Sequence, residues 1–247
     1  MMFKFSYICI THKKMKHTMK STLIMAVFMA FTFMGCQPKV QDLNVKNEKV
    51  TVNSENWDIT VNRSMFSSAD ANVNKSCEVL NKKIEKFVND LQDSLKADAN
   101  EFFQSWQGSG EERPAWIYEL QVGDSVFMAN DRYVSVRLMV YTFTGGAHGI
   151  TNFYTFNYDV QNQKFLTDQE VLNYVNEAQI NAQLKANFKN PEGCFTTDPT
   201  LKDVTTVNFN KKSVCFTYGQ YVLGAYACGV AEVTVPRAAL KNDLLIK

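Results

Sequence analysis

The chain has 247 residues, with 26 basic and 25 acidic side chains and three histidines. Its first 35 residues hold five of the lysines and none of the acids, so the remainder sets 21 basic against 25 acidic residues, about four negative charges. That balance, with no Lys/Arg-rich tract, argues against nucleic acid as a partner. A single histidine beyond residue 35, His148, excludes a two-histidine H-E-x-x-H zinc site and leaves only one candidate base for a Ser-His-Asp triad. Neither a Walker A pattern nor G-x-G-x-x-G is present, and no cofactor or metal is expected.

The leader differs in kind from the rest of the chain. Lys4, Lys13, Lys14, Lys16 and Lys20 precede the apolar run LIMAVFMAFTFM at residues 23–34. About a dozen residues is too short for a bilayer span, which needs roughly 20, but suits the h-region of a signal peptide. The run ends at Phe33-Met34-Gly35-Cys36, which resembles a lipobox, where the cysteine is diacylated and the chain cut before it. Residues 1–35 are therefore expected to be a lipoprotein signal peptide, with 1–14 an over-extended start, and Cys36 the lipidation site. The expected location is the bacterial envelope, bound to the membrane through that lipid and facing the periplasm.

Beyond the cysteine, residues 36–55 are polar without a sustained apolar period and read as a tether. Residues 57–61 alternate like a first strand. Val79, Leu80, Ile84, Phe87, Val88, Leu91, Leu95, Phe102, Phe103 and Trp106 then recur at helical spacing, with Ser76 as the expected N-cap and a break near 97–100. Three strands are expected at 115–128, 133–144 and 150–160, the first with a bulge at Gly123, giving an antiparallel meander packed on the long helix. Thr167-Asp168-Gln169-Glu170 is a helix-entry signature. It opens a helix to about residue 188, with Val171, Leu172, Val175, Ile180, Leu184 and Phe188 as its buried stripe. A hairpin at 204–209 and 213–218, a strand at 229–235 and a short helix begun by Pro236 complete the chain. The fold class is α+β: an antiparallel sheet on a long helix over residues 56–160, then a second, smaller α+β unit over 161–247.

Four cysteines lie beyond Cys36: Cys77, Cys194, Cys215 and Cys228. In an oxidising compartment they form two disulfides by any of three connectivities, or remain buried thiols; the spacing does not choose. Two stretches attract functional attention. Gly145-Gly146-Ala147-His148-Gly149 presents a histidine on a glycine loop, either as a base or ligand contact, or as a loop residue bonded to a neighbouring carbonyl. Residues 218–229 space tyrosines among glycines, as recognition surfaces do and as packed turns also do.

These stretches carry a resemblance. Residues 141–149, YTFTGGAHG, resemble a Y-x-Y-T-G-G-A-H-G signature, and 221–229, YVLGAYACG, resemble a later Y-x-x-x-P-Y-A-A-G stretch, with FLTD at 165–168 resembling a helix entry between them. Phe143, Ala225 and Cys228 depart from the usual tyrosine, proline and alanine. The family pairs an N-terminal domain associated with a peptidoglycan deacetylase (DUF4163-like) with a DUF3298-like C-terminal domain. The same pair forms the ectodomain of a lysozyme-sensing anti-sigma factor. The resemblance implies an envelope domain that binds peptidoglycan or a lysozyme-like protein without catalysis, through Tyr141, Gly145, Gly146, His148, Gly149, Tyr221 and Tyr226. The alternative is a wall-glycan hydrolase or deacetylase using His148.

Overall fold

A computed structural model describes residues 40–107 and 109–246. The leader, its apolar run and Cys36 lie outside the described residues, and no described helix is long and apolar enough to cross a membrane.

The chain enters the fold earlier than its polarity suggests. Residues expected to belong to a tether form β1 (Asn44–Asn53), paired antiparallel along its full length with β2 (Trp57–Ser67). All ten β1 side chains are exposed, so backbone pairing holds the strand and no buried alternation marks it. A single helix, α1 (Ala71–Trp106), comes next. Its N-cap is Asp70, whose carboxylate accepts from the Asn72 and Val73 amides at 2.9 and 3.0 Å. Ser76, the expected cap, is instead buried inside the helix and donates to the Val160 carbonyl at 2.6 Å. The helix runs unbroken through 97–100 because Ala99 continues the buried stripe of Leu80, Ile84, Val88 and Leu95.

Helix α1 returns the chain to the starting end of β2, so β3 (Tyr118–Ala129) pairs parallel to it, Trp57 opposite Tyr118. The antiparallel meander starts at β3, as expected, and β2 joins it in parallel. It continues through β4 (Tyr133–Phe143), β5 (Ile150–Asp159) and the short β6 (Lys164–Leu166), in the spatial order β1-β2-β3-β4-β5-β6. The register shift in β3 falls between Val126 and Met128, not at Gly123, which pairs regularly with Met139.

The expected 168–188 helix is three pieces: α2 (Asp168–Val171), a 3-10 turn (Tyr174–Asn176) and α3 (Glu177–Asn187). The break comes from Leu172, which is fully buried, takes an extended backbone and bridges to Leu244. Val175, expected in the stripe, is 91% exposed as a result. The entry signature does operate, since the Glu170 carboxylate accepts the Thr167 amide at 2.9 Å. A second sheet is built from β7 (Thr206–Phe209), β8 (Ser213–Tyr218) and β9 (Ala231–Pro236), in that order. Pro236 closes β9 and sits one residue before α4 (Arg237–Leu240). Val171, Leu172, Ile180 and Leu184 join this sheet in a core separate from that under the first sheet.

Residues 40–246 nevertheless belong to one compact unit, and a polar seam joins the sheets. β7 is an edge strand of the second sheet, and side chains of β4 and β5 hydrogen-bond to its backbone. Asn157 donates to the Val207 carbonyl at 2.8 Å, and the Phe209 amide donates to Ser135 Oγ at 3.1 Å. Ser135 donates to Asn157 Oδ1 at 2.7 Å, and Asn208 donates to Thr155 Oγ1 at 2.8 Å. Nearby, Arg137 donates to Thr217 at 2.6 Å and to Glu232, its guanidinium 5.3 and 5.1 Å from the rings of Phe127 and Phe153. An amide or hydroxyl buried here must find a partner, since an unmatched one costs about 1–3 kcal/mol.

Substitutions at the seam and at the helix entry probe these arrangements. Asn157→Ala should lower stability by about 1–3 kcal/mol, because it removes the shorter of two donors to the Val207 carbonyl and the acceptor of the Ser135 hydroxyl. Asn152→Ala, at an exposed position of the same strand, should stay within about 0.5 kcal/mol; thermal unfolding of both variants checks this. Burial raises the Asp168 carboxyl from 3.8 to about 6, so the folded state holds its proton more tightly than the unfolded chain. The favourable contribution is complete below about pH 4 and is lost as pH rises through 6. Asp168→Asn should therefore raise the melting temperature at pH 7.5 and match the parent near pH 4, with pH-resolved melting as the readout.

Candidate functional site

The two singled-out stretches come together at one end of the molecule, although about 70 residues separate them. The β4–β5 loop carries Gly145, Gly146, His148 and Gly149, and the β8–β9 loop carries Gln220, Tyr221 and Tyr226. Gly145 and Gly146 have φ of +98° and +87°, the left-handed region that favours glycine. A Cβ on Gly145 would lie 2.6 Å from the Trp116 ring, and one on Gly149 would lie 2.5 Å from Tyr141. At Gly145 and Gly149 the loop is therefore pressed against an aromatic ring with no room for a side chain, whereas Gly146 is required by its backbone conformation alone.

That compression fixes His148. Its imidazole stacks on Tyr226 with centroids 3.8 Å apart and planes 17° apart. Nδ1 lies 3.0 Å from the Gly149 carbonyl, which also accepts the Tyr226 hydroxyl at 2.9 Å. With the Nδ1 proton on that carbonyl, Nε2 is the acceptor and faces the Tyr221 hydroxyl at 3.4 Å. His148 is thus a loop residue bonded to a neighbouring carbonyl, as one of its two readings had it, and its ring remains exposed. Tyr221 is 59% exposed and sits at φ +69°, an uncommon conformation for a residue with a Cβ. The Thr151 amide donates to the Gln220 side chain at 3.0 Å, locking the two loops together.

A third loop braces them. Cys194 and Cys228 form a disulfide across 34 positions, and the Thr196 and Thr197 amides both donate to the Leu223 carbonyl. A Cβ on Gly224 would come within 3.1 Å of the Cys194 carbonyl, so small size is needed there as well. Cys228, a departure from the resembled motif, is one half of this bond. The other two cysteines are buried free thiols, Cys77 raised to about 11 by desolvation and Cys215 raised for the same reason. One disulfide forms where two were conceivable.

All seven residues singled out in the sequence sit in or against this platform, with Tyr141 beneath Gly149 as support. Four further contributors were not among those seven: Trp116, Thr151, Gln220, which lies within the tyrosine stretch, and Cys194, a disulfide candidate with no partner assigned. Trp116 and Cys194 meet the loops only through tertiary packing, and neither has a spacing that signals it. Among the described residues, no carboxylate bonds to His148. Among the described residues, no three His, Cys, Asp or Glu side chains are grouped to hold a metal ion.

Residues 39–151 match the family model described as Deacetylase PdaC, and residues 160–238 match that described as Protein of unknown function (DUF3298). No match was found among curated proteins. Two solved structures share the fold. A member of the DUF3298 family from Bacteroides fragilis is 16% identical with a TM-score of 0.64, covering 83% of this chain and 95% of its own. A DUF3298 family protein from Pseudomonas aeruginosa PAO1 is 20% identical with a TM-score of 0.52, covering 82% and 94%.

The geometry separates loop shape from ring chemistry. Gly145→Val should destabilise by more than about 1 kcal/mol, since it combines a positive φ with a collision against Trp116. His148→Ala should change stability by no more than about 0.5 kcal/mol, its ring being exposed. Denaturant unfolding of both variants distinguishes the two effects.

Proposed function

The chain is a PdaC-type domain followed by a DUF3298 domain, and from that premise we propose that it is a cell-envelope binding protein without catalytic activity. In this reading, lipid on Cys36 holds it to the membrane facing the periplasm. The loops carrying His148, Tyr221 and Tyr226 contact peptidoglycan or a peptidoglycan-acting protein such as lysozyme. The observation that carries the reading is the braced platform itself. Three loops are tied by a disulfide, a ring stack and the Thr151–Gln220 bond, and they display an exposed tyrosine in an uncommon backbone state. Rigid aromatic side chains supply contact area at low entropic cost, and bracing reduces what must be ordered on binding. A non-glycine residue held at positive φ is a local cost that functional surfaces commonly retain.

The first family's name favours a second reading, a glycan deacetylase or hydrolase. It would need His148 as a base, yet one ring nitrogen is bonded to a carbonyl, the other faces a phenol, and the ring is stacked. A catalytic histidine is normally oriented by a carboxylate or amide so that its second nitrogen is open to substrate.

Capture of purified muropeptides and of lysozyme by the immobilised domain tests the proposal. His148→Ala and Tyr221→Ala should each weaken capture about tenfold or more while circular dichroism stays unchanged. Equal capture by the parent and both variants would remove the platform from any binding role. Turnover of N-acetylated glycan that is lost in His148→Ala would replace the binding reading with the enzymatic one.

A further inference from the structure

A second place on the molecule has the lining of a ligand site, at the C-terminal end of α1. A cleft of about 220 Å³ is bounded by Glu55, Asn56, Phe103, Trp106, Gln107 and Arg113. It lies where the β1–β2 turn meets the last turn of α1 and the segment leading to β3. We propose that this cleft binds one ring of a neutral sugar, independently of the His148 platform.

The polar groups are prearranged. One terminal nitrogen of Arg113 donates to the Glu55 carbonyl and, at 2.9 Å, to Asn56 Oδ1. The guanidinium carbon lies 4.5 Å from the centre of the Phe103 ring. Asn56 is itself held, donating to Asn100 Oδ1 at 2.9 Å, while its carbonyl accepts the Tyr118 amide at 3.0 Å. The planar fork of Arg113 is thus fixed through one nitrogen, leaving its other terminal nitrogen and Nε with N–H groups to donate. Among the described residues, neither the Glu55 carboxylate nor the Gln107 amide has a side-chain hydrogen bond, and Arg113 has no salt bridge.

This combination selects a chemical class. A guanidinium alone would suit an anion, but Glu55 also lines the cleft, and its negative charge disfavours one. A hydroxyl group both donates and accepts, so it can use the carboxylate and the guanidinium together, with the Gln107 amide offering both roles. A pyranose ring adds a C–H face for the half-buried Trp106 indole, which has an apolar body of the right shape. The cleft has room for a single ring and opens to solvent, so longer chains could extend outward from it.

Titration of the soluble protein with N-acetylglucosamine tetramer and with maltotetraose, monitored by tryptophan fluorescence and by backbone amide shifts, tests the assignment. At least one sugar should give a saturable change whose shifted amides cluster at residues 55–56 and 106–113. Trp106→Ala should weaken it about tenfold or more. Arg113→Gln, an exposed change less able to disturb folding, should weaken it as well. Absence of any saturable response, or a response equal in both variants, overturns the proposal. So does preferential binding of an N-acetylated tripeptide with a free carboxylate, which would make the cleft an anion site. Because capture through His148 is read on other residues and other probes, either assignment can fail while the other stands.

Discussion

The polar seam along β7 is the constraint on which the architecture turns. An edge strand inside a folded body presents amides and carbonyls that must be met, and here no further strand is available to meet them. Ser135, Thr155 and Asn157 on the face of the first sheet supply the partners instead. This makes the second sheet dependent on the first at the level of individual backbone atoms. It also makes the interface demanding, because hydrogen bonds of this kind have direction as well as distance. Arg137 Nε, Thr206 Oγ1 and Asn208 Oδ1, all at this seam, are buried without a partner, so the contact carries an energetic cost. Arg137 is partly offset by the two phenylalanine rings flanking it.

The platform depends on that docking. Strands β4 and β5 lead into the glycine loop, and β8 and β9 lead into the tyrosine loop, so the seam that fixes one sheet against the other also fixes the two loops. What remains is local bracing. The glycines permit close approach to Trp116 and Tyr141, the disulfide ties in a third loop, and the His148–Tyr226 stack closes the arrangement. A surface assembled in this way resists rearrangement, which suits recognition of a partner with its own fixed shape.

The sequence was most informative where one face of an element is buried. The stripe along α1 was legible for that reason, whereas β4 and β5 were legible from their density of β-branched and aromatic residues, although both of their faces are buried where the second sheet docks. β1 was not, because all ten of its side chains are exposed and only its backbone is engaged. The parallel pairing of β2 with β3 was missed because strand direction is a property of the connection and leaves no mark in local alternation. At Leu172 a residue compatible with the helical stripe was claimed by a tertiary bridge to Leu244, and the helix broke there. The site was legible as two motifs, and those motifs do meet. Its bracing was not, since Cys194 could have paired with any of three partners and nothing in the local pattern tied Trp116 to Gly145.

The strand β5 occupies residues 150–159, beginning inside one family match, which ends at 151, and ending just before the other, which starts at 160. The boundary drawn by sequence similarity therefore runs through a strand that pairs with β4 on one side and offers Thr155 and Asn157 to β7 from its face. A gene encoding only the second segment would yield a three-stranded sheet with a raw edge, and one encoding only the first would leave β4 without its neighbour. The two segments are thus poor candidates for shuffling as separate modules, and their inheritance as a pair has a mechanical reason.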